Sequence, residues 1–365
     1  MKIKCNKQLL MEGISKVQGA VGSNSTIPAL EGILFSAGNG YLTLTGYNME
    51  MGITTAIEAN IEQPGEVILS ARYFSEIVKK MPSDEITVSV DENLMCTVKS
   101  GNSKFAIVGM NANEFPELPA LSDGISFSFH SELLENMIRM TRFAVAKTDE
   151  KPMYTGILCQ LEQGKITMVA VDGYRLAIRK ENITNELELK FIVPEKTLSE
   201  ILKLLPEKDS LIQISVGKRH IIFEIGHILV VSRLLEGEFI DYKTAVPPNH
   251  TTSVLVDTRT LLDSIDRVAL LINDRAKVFI KCIFDENQIK ASCESAIGNA
   301  DDRIEAEIDG DRIEIGFNSR YLLDALRAVE TDKVLLEMSG PLSPIKILPP
   351  EGNDFLFLVL PVRIK

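Results

Sequence analysis

Internal repetition restricts the fold of this chain more than any other feature. The segment Phe74-Ser75-Glu76-Ile77-Val78-Lys79 returns as Leu198-Ser199-Glu200-Ile201-Leu202-Lys203 and again as Leu322-Leu323-Asp324-Ala325-Leu326-Arg327, each step being 124 residues. The same offset relates Gly32-Ile33-Leu34 to Gly156-Ile157-Leu158. A third register recurs in the same order, as Gln8-Leu9-Leu10, Glu132-Leu133-Leu134 and Thr260-Leu261-Leu262. One match could arise by chance; three in one order define a period near 124 residues. The 365 residues therefore divide into units 1–120, 121–248 and 249–365. Pro116-Glu117-Leu118-Pro119 and Val246-Pro247-Pro248-Asn249 are proline-rich, extended junctions at the right places. A unit of about 120 residues is large enough to close its own core.

Within a unit the hydrophobic pattern is that of an α+β fold. Leu10, Ile14 and Val17, and likewise Leu261, Ile265 and Val268, have the spacing of one helix face. A second helix is predicted at about 71–81, 195–205 and 318–329, with Ser70 and Asn318 as N-caps. Strands alternate with period two at Ile86, Val88, Val90 and at Ile212, Ile214, Val216. Gly38-Asn39-Gly40, Glu162-Gln163-Gly164 and Asp285-Glu286-Asn287 read as hairpin turns. Two helices and about eight strands per unit place helices on antiparallel sheet.

Composition excludes several classes. Hydrophobic residues make up 45% and charged residues 25%, which is globular. No apolar run approaches the ~20 residues of a membrane helix, and the start has no apolar signal-peptide core. Five cysteines, Cys5, Cys96, Cys159, Cys282 and Cys293, form no CxxC pair, so a reducing, cytoplasmic location is expected. The net charge of −12, if evenly spread, repels nucleic acid.

The residues of catalysis are not assembled in any recognisable pattern. The four histidines, His130, His220, His227 and His250, lack metal-ligand spacing on a helix. Gly164-Lys165-Ile166 lacks the first glycine and the hydroxyl of a phosphate loop, and Gly38-Asn39-Gly40 lacks the third glycine of a dinucleotide fingerprint. Asp301-Asp302 and Glu305 could hold a divalent metal, which would make the chain an enzyme; a solvated strand edge that discourages wrong pairing accounts for them as well. An extracellular adhesion scaffold of three domains is the other alternative, and the absent signal sequence weighs against it. One segment stands apart, Val171-Asp172-Gly173-Tyr174-Arg175-Leu176-Ala177, where the first and third units have Tyr47-Asn48-Met49-Glu50 and Glu294-Ser295-Ala296. It reads either as a plain Asp-Gly turn or as a turn lining a groove that only one unit carries.

This segment resembles the T-D-G-[HY]-R-L-A stretch of the bacterial DNA polymerase III beta subunits, the replication sliding clamps. Arg233-Leu234-Leu235-Glu236-Gly237-Glu238-Phe239-Ile240-Asp241-Tyr242, with Val246-Pro247 after it, resembles a second motif of that family. The end, Leu358-Val359-Leu360-Pro361-Val362-Arg363-Ile364, resembles its terminal V-M-P-M-R-L. Thr26-Ile27-Pro28 matches as well, and the resemblance runs through the whole chain in order.

The resemblance implies a head-to-tail homodimer, a ring of six like domains with helices lining the hole. It implies no catalytic residue, cofactor or metal, and no membrane. The partners it implies are double-stranded DNA, a second copy of the chain, the DNA polymerase III alpha subunit, the clamp loader, and other polymerases and repair proteins that bring short linear peptides. It places the peptide groove at Tyr154, Val171, Gly173, Tyr174, Arg175 and Leu176, with Ile240, Thr244, Ala245 and Pro344, and with Leu358, Val359, Leu360, Pro361, Val362 and Arg363. Leu176, Val359 and Val362 would form apolar wall, Arg175 and Arg363 would offer hydrogen bonds at the rim, and Pro361 would turn the tail over the cleft. Ile240 and Val171 stand where the family commonly has Pro and Thr. DNA-facing candidates are Asn24, Arg72, Lys79, Lys80, Lys147, Lys151, Lys196, Lys203, Arg320 and Arg327. The six predicted helices carry a net +4 against −16 for the rest of the chain, the asymmetry that a basic hole requires. A seam is expected where Lys104, Phe105 and Ile107 of one chain meet Leu270, Leu271, Asp301 and Asp302 of another.

Overall fold

The computed structural model describes every residue except 122, 149, 185, 273–278 and 365. Six helices of ten or twelve residues fall where the periodicity puts them: α1 Lys7–Gln18, α2 Ala71–Lys80, α3 Ser131–Arg142, α4 Glu195–Leu204, α6 Thr258–Ala269 and α7 Ser319–Ala328. The short helix α5, Tyr242–Ala245, has only four residues and is too brief to show a period. Leu10, Ile14 and Val17 of α1 and Leu261, Ile265 and Val268 of α6 are all buried. The Asn318 side chain accepts the backbone N–H of Arg320 and caps α7. Ser70 precedes α2 as expected, but its hydroxyl makes no capping bond.

Every pairing in the four described sheets is antiparallel, and the chain forms two compact units. The first comprises Met1–Leu133 and Lys196–Leu234. It holds a five-stranded sheet that ends at Ser103–Val108 and an eight-stranded sheet that runs from Ile125–His130 to Gly65–Ser70. Within the eight-stranded sheet, Ile228–Arg233 of the second repeat pairs with Met51–Glu58 of the first, Val230 opposite Ile53. Phe35 and Phe74 meet edge to face at 4.8 Å in its core.

The second unit comprises Leu134–Glu195 and Leu235–Lys365. Its nine-stranded sheet joins repeats two and three in the corresponding way, because Arg175–Asn182 pairs with Phe355–Val359. Its five-stranded sheet has Gly298–Glu305 at one edge and the two-residue strand Pro361–Val362 at the other. The middle repeat thus gives its last hairpins to the first unit and its first hairpins to the second.

The three hairpin turns form where the sequence marks them. Asn39 and Gly40 have φ of 53° and 82°, Gln163 and Gly164 have 51° and 69°, and Glu286 and Asn287 have 48° and 58°. Left-handed backbone at both central residues matches the twist of the flanking strands.

Candidate functional site

The site is built where the last long strand meets the first strand after the Asp172 turn. Asp172 organises that turn: its Oδ1 accepts the backbone N–H groups of Tyr174, at 2.9 Å, and Arg175, at 3.1 Å. Gly173 between them has φ 88°, which a glycine adopts without strain. Leu176 then lies opposite Leu358 and Arg175 opposite Val359. One further bond, from the Leu360 N–H to the Tyr174 carbonyl at 2.9 Å, extends the pairing to the turn itself. Residues nearly 200 positions apart are thereby neighbours, as a joint site needs.

Around this pairing Val171, Leu176, Phe239, Tyr242 and Leu358 are buried in one apolar cluster, and Tyr154, Ile240 and Val246 pack against it half-buried. Thr244 and Ala245 are exposed on α5, and Pro344 is half-buried just before Ile345–Leu348. Tyr174 stands out at 59% exposure. Its ring stacks on Tyr321 of α7 at 5.7 Å between centroids, an aromatic partner that the sequence motif does not contain.

Arg175 does not stand at a rim. Its side chain is buried, donating from Nε to Asp172 at 2.9 Å and from Nη1 to Asp324 at 2.6 Å. The guanidinium also lies over the Tyr321 ring, 4.7 Å from its centroid, and 5.7 Å from that of Phe143. Nothing in the neighbouring sequence hints at this, because Asp324 and Tyr321 come from a helix almost 150 residues away. Burial and the nearby Asp172 carboxylate push the Tyr321 hydroxyl above its ordinary pKa, with Arg175 opposing them.

The tail differs from the expectation too. Val359 is fully buried and not a wall residue. Pro361, which has no N–H to continue a ladder, ends the nine-stranded sheet, but the chain then joins the other sheet, Val362 opposite Gly316. Leu360 and Val362 remain more than a third exposed. Arg363 lines a separate hollow of about 650 Å³ with Arg312, Pro341 and Leu342, so the two arginines do not share a rim.

The basic candidates are exposed: Arg72, Lys79, Lys80, Lys147, Lys151, Lys196, Lys203, Arg320 and Arg327. Several already have partners. Lys203 bonds Glu200 at 2.6 Å, Arg327 bonds Asp266 at 2.9 Å, and Lys80 lies 4.0 Å from Glu76. Lys151 sits over the Tyr154 ring and Arg72 over that of Tyr73. Asn24 is exposed with φ 56°.

Ser103–Val108 and Gly298–Glu305 are both sheet edges. Phe105 is 45% and Leu270 78% exposed, Ile107 and Leu271 are half-buried, and Lys104 and Asp301 are exposed. Asp302 is held by Arg267 at 2.5 Å.

Among the described residues, no three His, Cys, Asp or Glu side chains converge as metal ligands, and no helix is long and apolar enough to cross a membrane. All five cysteines are buried; burial pushes the Cys5 thiol up to about 11 and those of Cys96, Cys159 and Cys282 to about 12. Such thiols are poor nucleophiles.

A repeated α+β chain with an apolar, partly exposed cluster at a strand end is a binding module. The comparisons give it a family. The models of the DNA polymerase III beta subunit match in order: the N-terminal domain over residues 1–119, the central domain over 128–241 and the C-terminal domain over 243–363. The beta sliding clamp of Bacillus subtilis is 32% identical over 376 residues, with all of both chains covered. The crystal structure of the DNA polymerase sliding clamp from Bacillus subtilis covers both chains completely with a TM-score of 0.96 at 32% identity. A sliding clamp from Pseudomonas aeruginosa, bound to griselimycin, does so with 0.93 at 28%. The chain belongs to the DNA polymerase III beta subunit family, whose relatives are named beta sliding clamps.

Proposed function

We propose that this chain acts as a replication processivity factor: two copies close head to tail into a ring around duplex DNA and tether a polymerase. The full-length likeness to proteins named sliding clamps carries this reading. In it the three repeats, 1–120, 121–248 and 249–365, are the domains, six to a ring, and the protein works in the cytoplasm. DNA is held without base readout by phosphate contacts from Asn24, Arg72, Lys79, Lys80, Lys147, Lys151, Lys196, Lys203, Arg320 and Arg327. Processivity then comes from effective concentration, since a topological link keeps a weakly bound enzyme beside the primer end.

Two exposed strand edges of opposite chains supply the seam, Ser103–Val108 on one and Gly298–Glu305 on the other. Phe105 and Ile107 meet Leu270 and Leu271, and Lys104 faces Asp301, since Asp302 is already engaged by Arg267. The cluster around Leu176 and Leu358 is the docking place for short peptides of the alpha subunit, the clamp loader, other polymerases and repair proteins. A relative from Pseudomonas aeruginosa solved bound to griselimycin supports the presence of a ligand site in such clamps.

The test is topological. Protein loaded on nicked circular duplex should co-elute with the circle at high salt and be released when the circle is cut once by a restriction enzyme. Retention on the linear product would mean that the protein binds DNA without encircling it.

A further inference from the structure

We propose that Asp324 is a positioning residue of the peptide groove, setting its shape without touching the peptide. This rests on the groove reading above. Asp324 projects from α7, and its carboxylate takes Nη1 of Arg175 at 2.6 Å. Arg175 is thereby held from both sides, because Nε is committed to Asp172 at 2.9 Å. Asp172 is also the acceptor that shapes the turn carrying Tyr174. The Arg175 guanidinium lies over Tyr321, on the same helix as Asp324, and Tyr321 in turn stacks beneath the exposed Tyr174.

These contacts form a closed loop: Asp324 to Arg175, Arg175 to Asp172, Asp172 to the Tyr174 backbone, and the Tyr174 ring back to α7 through Tyr321. Every member except Tyr174 is buried or half-buried. The two carboxylates divide their work. Asp172 makes the turn, and it would do so in an isolated hairpin. Asp324 ties that turn by charge to a helix of another repeat, alongside the Tyr174–Tyr321 stack, and so helps to hold the Tyr174 side chain in place beside Leu358 and Leu360 of the last strand. A guanidinium has a rigid planar fork, so its two partners determine its plane as well as its place.

With Asp324 changed to Asn, the guanidinium keeps one carboxylate, and the fold keeps its strand pairing. The turn, however, loses its charged anchor on α7. A ligand must then order Tyr174 and Arg175 as it binds, and that ordering reduces affinity. Substitutions of this kind, away from the ligand itself, typically change coupling by a few-fold to about thirtyfold.

The experiment uses the full-length dimer with 3-fluorotyrosine at position 174 and an acetylated synthetic peptide carrying Gln, Leu and Phe. Calorimetry gives the affinity, and fluorine NMR of the free protein reports the Tyr174 environment. Asp324→Asn should weaken peptide binding by roughly tenfold and should shift or broaden the Tyr174 resonance before any peptide is added. Asp324→Glu, which keeps the charge, should fall between Asn and the unchanged protein. Leu176→Ala, in the buried cluster under the groove, is the control for the groove. If Leu176→Ala weakens binding while a folded Asp324→Asn retains full affinity and an unchanged resonance, the positioning role is overturned. Should Asp324→Asn not fold, the same outcome with Asp324→Glu overturns it. If Leu176→Ala also binds at full strength, the groove reading itself fails.

Discussion

Asn48 and Asp172, 124 residues apart, build the same turn: each Oδ1 accepts the backbone N–H groups two and three residues further on. The following pairing is also the same, since Arg233 N–H donates to the Glu50 carbonyl as Leu360 N–H donates to that of Tyr174. The side chains are where the copies part. Gly52 stands in the place of Leu176, and Leu118 approaches so closely that a Cβ on Gly52 would come within 2.7 Å of it. The larger Tyr47, buried, takes the place of Val171. The first repeat has filled its own strand end, while the second leaves Tyr174 exposed above it. Of these two copies of the turn, the second alone therefore contributes to the candidate site, although the backbone for it exists twice.

The DNA-facing reading is checked by salt dependence. Each cation withdrawn from a phosphate should lower the slope of log affinity against log salt by roughly 0.9 on duplex DNA. Changing Arg72, Lys79 and Lys80 of α2 together to Gln is expected to cut the slope by up to three such steps, with the dimer intact. Lys80 should matter least, because Glu76 is within 4.0 Å of it. An unchanged slope would place the DNA elsewhere.

The seam is tested by mass. Leu270→Ala together with Leu271→Ala should convert a species of about 81 kDa, twice the chain mass of 40.4 kDa, into folded monomers. Leu270 is the more informative of the two, being 78% exposed and so of little use to the monomer's own core. Mass photometry across concentrations, with circular dichroism as a folding control, reads the outcome. A double variant that stays dimeric at micromolar concentration would refute the seam.

Stability should fall in acid through a specific carboxylate. Asp209 accepts from the N–H of Glu132, the hydroxyl of Ser131 and Nδ1 of His130, all at the start of α3. Partial burial pushes its pKa up, but these bonds outweigh burial and the net shift is below the ordinary 3.8. A carboxylate depressed in the folded state stabilises fully above its unfolded pKa, and the contribution is lost as pH falls through the folded value. The urea midpoint of the unchanged protein should therefore drop more between pH 5 and pH 3 than that of Asp209→Asn. Equal drops would remove Asp209 from the account.

Much of this architecture was legible in the sequence for a physical reason. Helix faces such as Leu10, Ile14, Val17 repeat at a spacing that only burial explains, and the turn glycines mark left-handed backbone. The candidate site was legible only as far as contiguous residues carry it. Asp172 and Gly173 announce a turn, but nothing in Tyr174-Arg175 tells that the arginine turns inward. Its burial depends on Asp324 and Tyr321, whose meeting with it is set by the pairing of Leu176 with Leu358. The terminal strand deceived in a similar way. Pro361 does end one ladder, yet whether the chain then hangs free or enters a second sheet depends on the edge offered by Ile313–Phe317.

That second pairing decides how the tail should be probed. Deleting Pro361–Lys365 removes the strand Pro361–Val362 from its place beside Gly316 and Phe317, and also Arg363 and Ile364 from the adjoining hollow; Lys365 lies outside the described residues. The strand before it, Phe355–Val359, is paired on both sides and should stay. Only two residue pairs leave the sheet, so unit two is expected to melt a few degrees lower and remain folded. Peptide binding should suffer much more, because Leu360 would become a frayed end beside Tyr174 and the exposed Val362 would be gone. Apolar anchors at such interfaces are commonly worth about 2 kcal/mol or more each, roughly thirtyfold in affinity. Calorimetry with a Gln/Leu/Phe peptide and a melting curve on the same sample separate the two effects. A truncated chain that is folded and binds the peptide at full strength would show that the last five residues serve the sheet alone.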